Sequence, residues 1–315
     1  FVTLHPLPEQ LEEWFAGARD VGVDVRPVRE KKPLGTAGGV KQLASSLDET
    51  FLVISGDCLT DFSLRDAFEW HRRTGAEATI VVTAVDDPLR FGIVDATPEG
   101  RIVRFLEKPA PHEVFSNTVN TGVYVLEPGA LARCPEGAFF DFSRDLFPAM
   151  LASGAALYAY RGKGYWSDIG DLRQYIRSQI DALYGRVRLA ALSGGNGRRA
   201  WVDPGALVES GAALIPPVMA GPGAYVAAGS RVGPGTVLGP CCRVERGAVV
   251  ERSVVLEGAV IERGATVRGA AVGAGAVVGP GAVLGEGTAL ADGAQVPGRA
   301  RRARTPGRAV STAGS

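Results

Sequence analysis

In the second half of this chain an aliphatic residue returns every six positions. Val208, Leu214, Ala220, Val226, Val232, Leu238, Val244, Val250 and Leu256 keep that spacing without a slip. The phase then moves by one residue to Ile261 and Val267, and again to Val272, Val278, Leu284 and Leu290. Four residues after most of them stands a small side chain: Ala224, Ser230, Thr236, Ala248, Ala265, Ala276, Ala282 or Thr288. A strand that turns a corner every six residues needs an aliphatic residue pointing inward and a small one where the turn is tight. Each coil stacks only on its neighbours, so such a module is quasi-one-dimensional. The spacing predicts a parallel β-helix over 204–296. A disordered Gly/Ala/Pro tract would not keep aliphatic residues in phase.

The first half follows another rule. Apolar runs at 23–28, 51–55, 78–85, 102–105, 121–126 and 156–160 suit strands of a largely parallel, two-sided sheet. Helix signals lie between them. Ser63 before Asp66 is a capping arrangement, with Leu64, Ala67 and Phe68 on one face and Gly75 as the stop. Asp171 can cap a helix carrying Leu172, Tyr175, Ile176, Ile180 and Leu183. Alternating strand and helix is an α/β pattern, expected over 1–186, with a linker at 187–203 leading to the coil. At 315 residues the chain is long enough for two domains.

Bulk properties exclude some classes of function. Lys plus Arg equals Asp plus Glu at 34 each, so no net field recruits nucleic acid or an anionic membrane. No apolar stretch reaches the roughly 20 residues of a membrane span. With no signal peptide, the cytoplasm is the default location. Cys58, Cys134, Cys241 and Cys242 fit no C-x-x-C ligand pattern and read as reduced thiols. Beyond the coil, Arg299, Arg301, Arg302, Arg304 and Arg308 stand among Pro, Gly and Ser, which suits a basic, disordered tail over 297–315.

In α/β folds ligands sit beyond the carboxyl ends of strands. The run at 51–54 is followed by Ser55-Gly56-Asp57, and the run at 102–105 by Leu106-Glu107-Lys108-Pro109. Asn120 precedes the run at 121–126, and the last run leads to Tyr165-Trp166-Ser167-Asp168-Ile169-Gly170-Asp171. Leu34-Gly35-Thr36-Ala37-Gly38-Gly39 is a glycine-rich turn opening a helix, but it matches neither G-x-x-x-x-G-K-[ST] nor G-x-G-x-x-G. Singly, Asp57 and Asp168 could be turn or helix-start residues, and Glu107 and Lys108 a solvated pair.

Taken in order, LGTAGG at 34–39, SGD at 55–57, FGIV at 91–94, EKP at 107–109, NTGVYVLEP at 120–128 and WSDIGD at 166–171 resemble the sugar-1-phosphate nucleotidyltransferases. Many members of that family carry a hexapeptide β-helix, and this coil is similar to the left-handed kind. With FDFSRDLFP at 140–148, the resemblance is closest to mannose-1-phosphate guanylyltransferases, including forms that continue into a phosphomannomutase-like domain. It implies a Rossmann-like catalytic domain acting on an NTP and a sugar 1-phosphate. By resemblance, Asp57 and Asp168 hold Mg²⁺, and Lys108 holds the sugar phosphate. Glu107, Asn120, Thr121 and Gly92 form the sugar pocket. Gly35, Thr36, Ala37, Gly56 and Asp57 lie against the nucleotide. Copies are expected to associate through the β-helix or the catalytic domain.

The chain also departs from the family. The phosphate loop G-x-G-T-R-L-x-P-L-T does not occur, so the first βα unit is expected to be absent and the chain as it stands inactive or nearly so. Glucose-1-phosphate adenylyl- or uridylyltransfer stays open, as does a non-catalytic, sugar-nucleotide-sensing regulatory subunit. An acyltransferase, often built on such coils, needs a histidine base there. His5, His71 and His112 all lie outside the coil.

Overall fold

The computed structural model describes residues 1–5, 8–17, 22–192, 197–298 and 301–302. Of the arginine-rich stretch, Arg299, Arg304 and Arg308 lie outside the described residues. The chain forms two compact units, Phe1–Gly56 with Phe62–Lys163, and Asp57–Asp61 with Gly164 onward. No helix among the described residues is long and apolar enough to cross a membrane.

The first unit contains, in chain order, β1 (Val2–Leu4), α1 (Pro8–Gly17), β2 (Pro27–Arg29), α2 (Gly35–Lys41) and β3 (Phe51–Ile54). After β4 (Cys58–Thr60), which belongs to the second unit, come α3 (Leu64–Thr74), β5 (Ala78–Ala84), β6 (Gly92–Ala96), β7 (Ile102–Glu107), β8 (Thr118–Leu126), α4 (Phe147–Ala152) and β9 (Leu157–Arg161). The main sheet runs β7-β6-β8-β5-β9, with β3 also paired to β8. Its pairing corrects the expected largely parallel sheet. Only β5 with β9 is parallel, because β8 runs against β3, β5 and β6, and β6–β7 is an antiparallel pair. Strands buried along most of their length such as β5, whose first five residues are buried, carry no mark of direction. The run expected at 23–28 contributes only β2, which pairs parallel to β1 in a separate two-stranded sheet.

Local signals are realised as written. The Ser63 hydroxyl accepts from Asp66 N, and Gly75 ends α3 at φ 62°. Under the sheet, Phe142, Leu146, Phe147 and Met150 are buried with Leu126 and Ile80. Tyr124 packs its ring 4.9 Å from Phe142 and 5.0 Å from Phe147.

In the second unit, β4 pairs antiparallel with β10 (Trp166–Asp168), and α5 (Leu172–Leu183) follows. The Asp171 carboxylate caps α5 by accepting from Gln174 N at 2.8 Å. Three parallel sheets of six strands then stack as a β-helix, beginning at Ala200–Val202. Ala200 lies beside Val218 and Leu207 beside Tyr225, one coil of three hexapeptides apart. The aliphatic column from Val226 to Leu284 is fully buried inside the coil. Among the small corner residues, Cys242 is as buried as Ala248 and Ala265.

The phase shift falls one step earlier than the spacing suggests. Leu238 pairs with Val255, which is buried, so the short step runs from Val250 to Val255. Leu256 points out of the coil and packs with Ile176 of α5, Val254 and Ala271. A pair of adjacent aliphatics is ambiguous in one dimension; the helix lying outside the coil decides which turns inward. The second short step, Val267 to Val272, is as expected.

Candidate active site

In the first unit the sugar-side candidates converge at the end of β7. Glu107 faces Gly92 across the β6–β7 pair. A Cβ on Gly92 would lie 2.7 Å from Oε2 of Glu107 and 2.7 Å from the Phe105 ring, so only glycine leaves the carboxylate its place. Burial raises the Glu107 pKa above the usual carboxylate range, with Lys108 opposing it, Asp141 adding to it, and Arg144 and a hydrogen bond from Ser143 opposing it. Lys108 itself sits at φ 49°, and its N–H donates to Phe91 O at 3.0 Å. A left-handed lysine is strained, and such strain gathers where a side chain must be aimed.

Asn120 joins the same group. Its amide donates to the Tyr124 hydroxyl at 3.0 Å and to Ser143 Oγ at 3.1 Å, while its oxygen accepts from Gly122 N at 2.9 Å. Tyr124 is buried, which pushes its phenol pKa up. Thr121 is turned away, its hydroxyl donating to Val81 O at 2.8 Å within the sheet.

The glycine-rich turn at 34–39 is also built from named contacts. Ala37 N and Gly38 N both donate to Phe140 O, at 3.0 and 2.9 Å. A Cβ on Gly35 would meet that same oxygen at 2.7 Å, which explains the glycine without any ligand. Thr36 Oγ1 donates to Asp141 Oδ2 at 2.8 Å and accepts from Phe142 N at 3.0 Å. Asp141 in turn caps a π-type turn at Phe142–Leu146, accepting from Ser143 N and Arg144 N. One segment, 140–144, thus braces the glycine-rich turn and supplies Ser143 to Asn120. Ser143, Asp141 and Tyr124 are not singled out in the sequence; the signals that hold them are FDFSRDLFP for Asp141 and Ser143 and NTGVYVLEP for Tyr124.

The carboxylates belong to the second unit. Asp57 directly follows Gly56, and its carbonyl accepts from Ile169 N at 2.8 Å. Cys58 pairs with Asp168 across β4–β10. The Cys58 thiol is pushed up to about 11, by burial first and then by the charges of Asp57 and Asp168. Both carboxylates therefore act on one point between the two strands. Among the described residues no cluster of three or more His, Cys, Asp or Glu forms a ready-made metal cage. Two carboxylates alone suit Mg²⁺, which takes one or two of them and fills the rest of its shell with phosphate and water.

His71 serves the fold. It is buried, with Nδ1 2.9 Å from Thr79 Oγ1 and Nε2 3.1 Å from Glu127.

The nucleotidyl transferase family profile matches residues 1–183, and that of the GMPPB C-terminal domain matches 214–300. The mannose-1-phosphate guanylyltransferase of Mycobacterium tuberculosis is 35% identical over 221 residues, 70% of this chain and 61% of that protein. A UTP–glucose-1-phosphate uridylyltransferase of Synechocystis is 36% identical over 188 residues, 55% of this chain and 48% of that protein. The mannose-1-phosphate guanylyltransferase catalytic subunit beta of Drosophila pseudoobscura pseudoobscura is 37% identical over 172 residues, 53% of this chain and 45% of that protein. The chain thus spans between about half and 61% of the length of these relatives. On the match over residues 1–183, this chain belongs to the nucleotidyl transferase family.

Proposed function

We propose that this chain carries the sugar-phosphate and metal residues for transfer of a nucleotidyl group from an NTP to a sugar 1-phosphate, with GTP and mannose 1-phosphate as the substrates, while the chain as it stands turns over slowly or not at all. The observation that carries the reading is Lys108 aimed by a left-handed backbone beside the Glu107–Ser143–Asn120 group. It joins a cation for a phosphate to a set of acceptors and donors for sugar hydroxyls. The names of the Mycobacterium and Drosophila relatives support guanine and mannose.

In the reaction a sugar-phosphate oxygen attacks the α-phosphorus in line. One P–O bond forms while the α–β bridging P–O bond breaks and pyrophosphate leaves. Lys108 offsets the charge of the attacking phosphate, and Glu107 accepts from sugar hydroxyls. Asn120, held at both ends of its amide, fixes the sugar face. Gly92 gives Glu107 room. Gly35, Thr36, Ala37 and Gly56 provide the low-bulk backbone against the nucleotide, with the Thr36 hydroxyl committed to Asp141. Asp57 and Asp168 would hold Mg²⁺, which supplies charge neutralisation when bound.

Association of copies through the β-helix or the catalytic unit belongs to the same reading. So does a cytoplasmic setting, which four free cysteines suit.

Thermal-shift titration with GDP-mannose, ADP-glucose and UDP-glucose, each with Mg²⁺, tests the substrates through binding linkage. GDP-mannose should give the largest shift, and Asp57→Asn should remove the part that needs Mg²⁺. A larger shift with UDP-glucose would move the assignment to uridylyltransfer.

A further inference from the structure

Within the second unit, a cavity of about 400 Å³ opens between α5 and the wall of the β-helix. Its lining includes neither Asp57 nor Asp168. On the helix side Ile176 and Ile180 form an apolar wall, with Arg173 and Arg177 one turn apart beside them. On the coil side the lining comes from successive corners, Arg252, Gly269 and Gly287. Arg252 and Gly269 occupy the two shortened steps of the repeat, between Val250 and Val255 and between Val267 and Val272.

Arg252 is the anomaly in this column. The corners stacked with it are glycines at φ 69° (Gly235), 60° (Gly269) and 76° (Gly287), whereas Arg252 holds φ 46° with a full side chain. Its backbone is tied to the corner beneath by Arg252 N donating to Pro234 O at 2.9 Å. A left-handed arginine where glycine serves in the neighbouring coils carries backbone strain.

Charge in the cavity is unbalanced. Arg177 and Arg186 both pair with the buried Asp181, which also accepts from the Tyr165 hydroxyl at 2.9 Å. Neither Arg173 nor Arg252 has a side-chain hydrogen bond or ion pair among the described residues. Only Glu286, at the coil side, offsets them. Two planar guanidinium groups facing one space suit a phosphate dianion. The volume falls in the range of small-molecule sites, which run from about 300 to 1,000 Å³, and is far more than a bare phosphate fills.

We propose that this cavity binds a small hydroxylated phosphate monoester. Arg252 and Arg173 take the phosphate, Ile176 and Ile180 lie along the carbon skeleton, and Glu286 accepts from a hydroxyl. The site is separate in its residues from the substrate group around Lys108, and it stands whether or not the transferase reading does.

The test is calorimetric titration of the whole chain with glycerol 3-phosphate and with inorganic phosphate, at fixed ionic strength. The parent should bind the ester at least about tenfold more tightly than inorganic phosphate, a difference readily resolved in Kd. Arg252→Gly and Arg173→Gln should each weaken the ester by about tenfold or more, while Lys108→Gln leaves it unchanged. Arg252→Gly suits the left-handed backbone, so its melting temperature should equal or exceed the parent's, which separates loss of the site from loss of the fold. No heat beyond a chloride control would overturn the proposal. So would undiminished binding in both arginine variants, or binding abolished by Lys108→Gln. Inorganic phosphate as tight as the ester would overturn the assignment to a monoester.

Discussion

Oε2 of Glu107 lies only 2.7 Å from where a Cβ on Gly92 would stand, so the carboxylate rests over a bare stretch of β6. Gly92→Ala should therefore displace Glu107 and crowd the Phe105 ring. Overpacking of this kind costs about 1–3 kcal/mol. The variant should melt lower, and under the proposed function it should weaken binding of mannose 1-phosphate, raising its Kd. An unchanged Kd would separate Glu107 from the sugar.

Glu107 also predicts a pH dependence. Its folded pKa is raised, chiefly by burial, so the folded state holds its proton to higher pH than the unfolded chain does. In the window between the ordinary carboxylate value and the raised one, stability falls as pH rises. Glu107→Gln removes that loss. Melting curves from pH 3 upward should show parent and variant converging at the acid end, with the variant gaining above the window. Parallel curves throughout would contradict the shift.

Cys58 reports on the two carboxylates without any turnover. Asp57 and Asp168 hold its thiol pKa up, to about 11 together with burial. Removing either charge should release thiolate and speed alkylation at fixed pH by about two- to fivefold. Exposed Cys241 supplies the reference rate in the same sample. Millimolar Mg²⁺ should accelerate Cys58 in the parent and leave the Asp57→Asn/Asp168→Asn double variant unaffected. Equal rates in parent and both single variants would show that the carboxylates do not share this point.

Neighbouring residues in the coil should differ sharply. Val255 is fully buried in the column, while Leu256 packs outside against α5. Val255→Ala should cost about 2 kcal/mol, and Leu256→Ala clearly less despite losing more carbon. Chemical denaturation measures both. A larger loss at Leu256 would restore the phase drawn from spacing alone.

The coil was legible because each of its contacts is a repeat of the last. Val226, Val244 and Ile261 stack on one another, so a period in the chain is a column in space. The caps at Ser63 and Asp171 were legible for a related reason, since donor and acceptor lie three residues apart. By contrast, the sheet's directions were not. An apolar strand reads the same either way, and only β8 lying between β3, β5 and β6 made most pairs antiparallel.

For the site, the sequence alone supplied only the candidates, Glu107, Lys108, Asn120, Asp57 and Asp168, all within one expected domain; the division that sets Asp57 and Asp168 in another unit came with the structure. Tertiary structure decided how they are held. Ser143 reaches Asn120 from 23 residues away, and Thr36 meets Asp141 across 105. Thr121 turns into the sheet, and Gly35 answers to Phe140 O. Hydrogen bonds between distant segments follow from packing of the whole core, which no local spacing encodes. The same holds for the corner at Arg252, where the one-residue shortening, which the spacing placed a step later, and the cavity wall both depend on α5 packing outside the coil.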